Sequence, residues 1–254
     1  ISLAAREGLG TYAQDWQGNG RPGTIYLSDP VLLTLLNGRA QGGQLVIPGW
    51  TSWSPASLAV TNGTLVLPAG FALTVTNGLD VYQDGGIELT NAAVAVGNDL
   101  VISNTTALAS RFLLATGTAF NVGRDLSVLA ARMIVRGHES GGSTVTVGRD
   151  LTLTNSGSSL GQATFYSGIT NVARSQGLAV IVGRAMVLST NAILYAMAHG
   201  TNGGAALFAA NSVAVAVGGQ VNADAAGFLG GGREAATSRD LGYGPGGGKY
   251  YSPN

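Results

Sequence analysis

A five-residue phrase recurs along the chain as Val96-Gly97-Asn98-Asp99-Leu100, Val122-Gly123-Arg124-Asp125-Leu126, Val147-Gly148-Arg149-Asp150-Leu151 and Val182-Gly183-Arg184-Ala185-Met186. A looser echo follows at Val217-Gly218-Gly219-Gln220-Val221. The glycines lie 26, 25, 35 and 35 residues apart. Self-similarity with a period of about 20 to 50 residues marks repeat architectures, in which each unit buries its apolar face only against its neighbours. The period therefore limits the fold before any single residue does.

Between the copies the chain is made of brief apolar runs. Leu45-Val46-Ile47, Leu58-Ala59-Val60, Leu65-Val66-Leu67, Leu73-Thr74-Val75 and Leu79-Asp80-Val81 are each bounded by Gly, Pro or Asn-Gly, as at Pro48-Gly49, Asn62-Gly63 and Asn77-Gly78. Period-2 runs punctuated in this way read as strands separated by turns. Three such strands fill an interval of about 25 residues, the material of one coil in a parallel β-helix, where inward side chains stack about 4.8 Å apart along the axis. The expected fold is all-β, a right-handed parallel β-helix with coils of about 25 residues and a glycine-rich C-terminal segment. In the recurring phrase, Val and Leu face the stack, Gly97, Gly123, Gly148 and Gly183 make the turn, and Asp99, Asp125 and Asp150 accept local backbone amides. The two 35-residue intervals are read as the same coil with about ten extra residues in one turn, 155–172 and 197–205 being the segments that supply them.

Three regions follow. Residues 1–24 are polar and glycine-punctuated and read as an N-terminal arm or cap; 25–226 form the solenoid; 227–254 form a glycine-rich tail or inter-subunit contact segment. Asp29-Pro30 before Val31-Leu32-Leu33-Thr34-Leu35-Leu36 and Asn37-Gly38 suits a short helix, with Asp29 as N-cap and Gly38 past its end. A buried strand fits the same apolar run, and length does not arbitrate between them.

Composition removes several classes of function. Thirteen basic residues balance thirteen acidic ones, and only 10% of the chain is charged. Such a chain has no field to attract nucleic acid, and none is expected as a partner. Without cysteine there is neither a disulfide framework nor a thiolate metal site. No apolar run approaches the roughly 18 residues of a membrane-spanning helix. Forty glycines sit beside a 45% hydrophobic content, so a packed core is available. The opening at Ile1, without a charged and then apolar leader, suggests a processed mature form or a fragment.

The sharpest chemical candidate is the column Asp99, Asp125, Asp150 with Arg124 and Arg149 beside it. In register on successive coils, these carboxylates would lie about 5 Å apart, within reach of one hard cation. An acidic cluster with a basic neighbour also suits proton abstraction next to a uronate, which makes a polysaccharide lyase-like enzyme the alternative function. Ladders of turn residues are the simpler reading, because Asn98 and Ala185 break the charged pattern. His138 and His199 lie in polar, glycine-rich surroundings 61 residues apart, which argues against a transition-metal centre. No Gly-x-Ser-x-Gly elbow stands between a strand and a helix, and Gly230-Gly231-Gly232-Arg233 lacks phosphate-loop spacing. No cofactor is expected. Trp50 and Trp53, in one turn-rich loop, are candidates for stacking on a glycan or for capping the first coils. Phe165, Tyr166, Tyr243, Tyr250 and Tyr251 are further aromatics available for stacking. Sequons begin at Asn62 and Asn104.

The strand Gly23-Thr24-Ile25-Tyr26-Leu27, the Asn62-Gly63 and Asn77-Gly78 turns, the Val-Gly-x-x-(Leu/Met) repeats and Gly242-Tyr243-Gly244-Pro245-Gly246-Gly247-Gly248 together resemble bacterial secreted and cell-surface parallel β-helix proteins. The similarity is to the adhesin and autotransporter-passenger type, in its glycine-rich branch, over about residues 23–248. It implies an extracellular address and a structural, adhesive or carbohydrate-binding role. The expected function is accordingly an adhesin stalk, matrix component or subunit of a surface filament. Open strand edges at the ends of a stack make a homo-oligomer or polymer the expected assembly, with a glycan or other cell-surface ligand as a further partner.

Overall fold

The computed structural model describes residues 23–29, 31, 39–40, 43–103, 111–115, 119–138, 142–155, 161–167, 177–199 and 206–224. Among them the chain is all-β: twenty strands make one strongly curled sheet with parallel pairing, and no α-helix occurs. The arm 1–22 and the tail 227–254 lie outside the described residues, as does most of the Asp29–Gly38 element. At its start, the Asp29 carboxylate accepts the Val31 N–H at 2.8 Å, an Asx-type bond that a turn makes as readily as a helix cap.

The pairings sort the strands into three parallel ladders. The first contains β4 (Ser52–Trp53), β6 (Ala72–Val75), β8 (Ala93–Val96), β11 (Ala119–Val122), β14 (Ser143–Val147) and the first halves of β17 (Leu178–Leu188) and β19 (Leu207–Val215). The second runs through β2 (Arg39–Ala40), the first halves of β5 (Leu58–Val66) and β7 (Leu79–Thr90), then β9 (Leu100–Ser103), β12 (Leu126–Leu129), β15 (Leu151–Thr154) and the second halves of β17 and β19. The third takes β1 (Thr24–Tyr26), β3 (Gly43–Val46), the second halves of β5 and β7, β10 (Arg111–Ala115), β13 (Arg132–Arg136), β16 (Gln162–Tyr166), β18 (Ile193–Met197) and β20 (Gln220–Asn222). From β4 onward the chain visits the ladders in one fixed order.

Period-2 alternation then decides the core. Leu79, Leu100, Leu126, Leu151 and Met186 stand opposite one another in the second ladder and are all buried. Val75, Val96, Val122, Val147 and Val182 do the same in the first. The intervening positions, such as Ser127 and Thr152, remain half exposed. Because a one-residue slip would turn a whole strand inside out, each apolar column fixes its own register.

Several expectations about turns are corrected. Asn62-Gly63 does not end a strand; β5 runs through it, with Asn62 at φ 53°, Gly63 at φ 146° and a register shift between Thr61 and Gly63. The same corner is made by left-handed residues at Gln83 (φ 48°) and Ala130 (φ 49°), which carry no turn signal in the sequence. The extra residues between Val147 and Val182 do not sit in one turn. The registers of β13, β16, β14 and β17 divide them between 155–161 and 167–177. Finally, Val217-Gly218 is not the next copy of the phrase, since Val182 faces Ala210 and Met186 faces Val213. Gly218 instead forms a turn against Asn191, at a different corner of the repeat.

Candidate functional site

At the corner between the first and second ladders, the glycines are needed for space rather than for left-handed backbone. A Cβ on Gly123 would stand 2.1 Å from the Gly97 carbonyl oxygen; on Gly148, 2.1 Å from that of Gly123; on Gly183, 2.2 Å from that of Gly148. Gly97 meets the Thr76 carbonyl in the same way at 2.0 Å. None of the four has a positive φ. Each glycine is thus a seat for the peptide of the previous repeat, and any side chain would push two backbones apart.

The backbone hydrogen bonds explain the aspartates. At the glycine and the residue after it, N–H groups point to the preceding repeat: Gly123 donates to Val96 C=O at 2.7 Å and Arg124 to Asn98 C=O at 2.9 Å. At the leucine, N–H points to the following repeat, Leu100 donating to Asp125 C=O and Leu126 to Asp150 C=O, both at 2.9 Å. The aspartate stands where the direction reverses, and its N–H goes to the preceding carboxylate. Asp125 N–H donates to Asp99 Oδ1 and Asp150 N–H to Asp125 Oδ1 at 3.1 Å, and Ala185 N–H to Asp150 Oδ1 at 3.0 Å. The expected Asx turn within one phrase is therefore replaced by a bond between phrases. A partly buried amide that would otherwise lack an acceptor is satisfied at each step.

Arginines from the following copy complete the column. Arg124 Nε lies 3.6 Å from Asp99 Oδ1, Arg149 Nε 3.6 Å from Asp125 Oδ1, and Arg184 grips Asp150 through Nη2–Oδ2 at 2.7 Å and Nε–Oδ1 at 3.2 Å. These guanidiniums are solvent-accessible, so the ion pairs add less than the amide bonds do. The row ends at Ala185, which offers no carboxylate. The next corner is one residue shorter, Ala185 facing Ser212, and Asn211 Nδ2 reaches back to Gly183 C=O at 2.7 Å. Chemically, Asp99, Asp125 and Asp150 are each held as hydrogen-bond acceptors between an amide and a guanidinium. Beside the column, Asp80 has its carboxyl pushed above the ordinary range by burial and then by the Asp99 charge.

The remaining candidates are scattered. No group of three or more His, Cys, Asp or Glu side chains is arranged to hold a metal ion among the described residues, the aspartate column included. His138 is half-buried and donates its N–H to Ser143 Oγ at 2.7 Å; His199 is half-buried elsewhere. Trp50 is only 8% exposed and packs edge-on against Phe71 at 4.4 Å, with Trp53 6.0 Å away and half-buried. Trp50 is thus packed into the core beside Phe71, with Trp53 partly buried against it. Phe165, expected among the available aromatics, is fully buried; Tyr166 beside it lies under the Arg136 guanidinium at 4.2 Å. Asn62 is exposed, whereas Asn104, Tyr243, Tyr250 and Tyr251 lie outside the described residues.

One feature was not anticipated from the sequence. Val213 and Val215, in register with buried Met186 and Leu188, are 59% and 50% exposed, and Val221, opposite buried Leu194, is 55% exposed. The columns that form the core elsewhere reach the surface at β19 and β20. Residues 206–223 contain no charged side chain, and that was the legible signal.

No family model matches the chain, and neither does any curated protein or solved structure.

Proposed function

We propose that this chain is an extracellular structural protein whose three ladders are the sides of a right-handed parallel β-helix, and that it acts by end-to-end association as a stalk, matrix component or surface filament subunit. The observation that carries this reading is the apolar, uncharged surface at β19 and β20, made of side chains in core register. Natural strand edges are normally protected by charge, proline or a covering element, and β19 has neither a charge nor a proline. The corner column supports the same reading, since its aspartates are engaged in joining one repeat to the next.

Negative-stain microscopy combined with light scattering on the full chain tests it. The expected result is elongated particles joined at their ends, with a mass that rises with concentration. Isolated monomers at high concentration would contradict it. The aspartate column sets the outcome for the lyase alternative: release of unsaturated product from polyuronates, abolished by Asp125→Ala, would replace the structural reading by an enzymatic one.

A further inference from the structure

We propose that the end formed by β19 and β20 is a self-complementary contact surface for a second copy of this chain, so that two molecules meet C-terminal end to C-terminal end about a two-fold axis. The inference rests on the end-to-end reading above and specifies which ends meet. The inward positions of the last repeat are Phe208, Ala210, Val213, Val215 and Val221, each in register with a buried residue one repeat earlier. Phe208 already packs edge-on against Phe165, ring centroids 5.4 Å apart. The core therefore continues up to this end, where Phe208 and Ala210 are partly buried and Val213, Val215 and Val221 are exposed.

The opposite end is built differently. Leu27, Ile47 and Trp50 are 8%, 5% and 8% exposed, and Trp50 lies against Phe71 with Trp53 beside it. A head-to-tail junction would have to seat the open columns of one copy on an end where Leu27 and Trp50 are already buried and Ile25 is partly so, the exposed Tyr26 lying at an outward position of β1. A tail-to-tail junction buries both open ends against each other.

Charge points the same way. In a two-fold contact every side chain near the axis meets its own copy, so like charges would repel. Residues 206–223 carry none. Two β19 edges related by a two-fold axis run antiparallel, the arrangement in which facing N–H and C=O groups pair perpendicular to the strands. Such a contact is closed. It yields a dimer of rods, and any longer assembly would use a surface elsewhere.

The chain has no cysteine, so single-cysteine variants give a clean test. Asn211→Cys and Ala214→Cys place an exposed thiol at the open end, and Ser54→Cys places one beside the tryptophan loop. Each is treated, in the otherwise intact chain, with a short bismaleimide. Covalent dimer from Asn211→Cys or Ala214→Cys alone, none from Ser54→Cys, and at least a tenfold loss of dimer when Val213→Lys is added to Ala214→Cys is the expected result. A ladder of multimers that requires Ser54→Cys and Ala214→Cys together would overturn the two-fold contact while leaving end-to-end association standing. No cross-linked product from any variant, with a monomeric mass throughout, would overturn both.

Discussion

The two ends of the described sheet are made from the same apolar columns and finished in opposite ways. At the N-terminal end Trp50 folds down on Phe71, Leu27 and Ile47 are buried, and Ile25 is partly buried against the core. At the C-terminal end the columns run out through Val213, Val215 and Val221 with no aromatic lid of that kind among the described residues. A repeat protein is stable through contacts between neighbours, so its ends are where sequence must depart from the repeat to stay soluble. Among the described residues one end has departed and the other has not, which is why the open end is assigned to assembly.

The largest expected effect separates the ends directly. Trp50→Ala removes a buried indole and should cost about 4 kcal/mol in urea unfolding, whereas Val213→Ala, measured where the chain is monomeric, should stay within about 0.5 kcal/mol. Equal costs would mean that the C-terminal end is as covered as the N-terminal one.

Glycine substitutions sharpen the contrast between interior and end. Gly148→Ala puts a Cβ 2.1 Å from the Gly123 carbonyl oxygen, part of a backbone that is hydrogen-bonded on both sides, and should cost about 3 kcal/mol by chemical denaturation. Gly218→Ala, with φ 74°, meets the Asn191 side chain, which can move, so the left-handed backbone is the main cost, about 1 kcal/mol.

A smaller effect tests the corner column. Asp125→Ala strips the acceptor from the Asp150 N–H and should cost about 1.5 kcal/mol, while Asp125→Asn retains an oxygen acceptor and should recover most of it. If Asn were as damaging as Ala, the exposed Arg149 ion pair would be the dominant contribution and the account of the column would be wrong.

The smallest effect depends on pH. The carboxyl of Asp80 is raised by burial and by Asp99, so the folded form keeps a proton that the unfolded form has released. Between the ordinary carboxyl pKa and the raised folded one, this group's contribution to stability falls as pH rises, and above that window the ionised Asp80 weighs against folding. Asp80→Asn should therefore raise the thermal midpoint at neutral pH by a degree or two, with the gain vanishing at about pH 3. A gain that persists at low pH would assign the effect to something other than ionisation.

The Val and Leu columns were legible in the sequence because register and burial obey one period. The glycines were legible as well, but their cause was not: a local phrase shows a turn, whereas the carbonyl each glycine makes room for comes from a residue 21 to 35 positions away. For the same reason the Asp acceptors seemed local. Val217-Gly218 illustrates the limit of phrase matching, since it repeats the letters at another corner, out of register with Val182-Gly183. Gln83 and Ala130 adopt left-handed backbone because the corner imposes it, against their own preference, and no composition rule would find them. The open end lay in plain view as an uncharged stretch, but only the register shows that its valines occupy core positions.

The most direct test of the account is the solution mass of the full chain beside the Val213→Lys/Val215→Lys variant, measured by light scattering over a range of concentrations. The account predicts a twofold mass for the parent chain and a monomer for the variant, with the variant still folded by circular dichroism. The same mass for both proteins would contradict it.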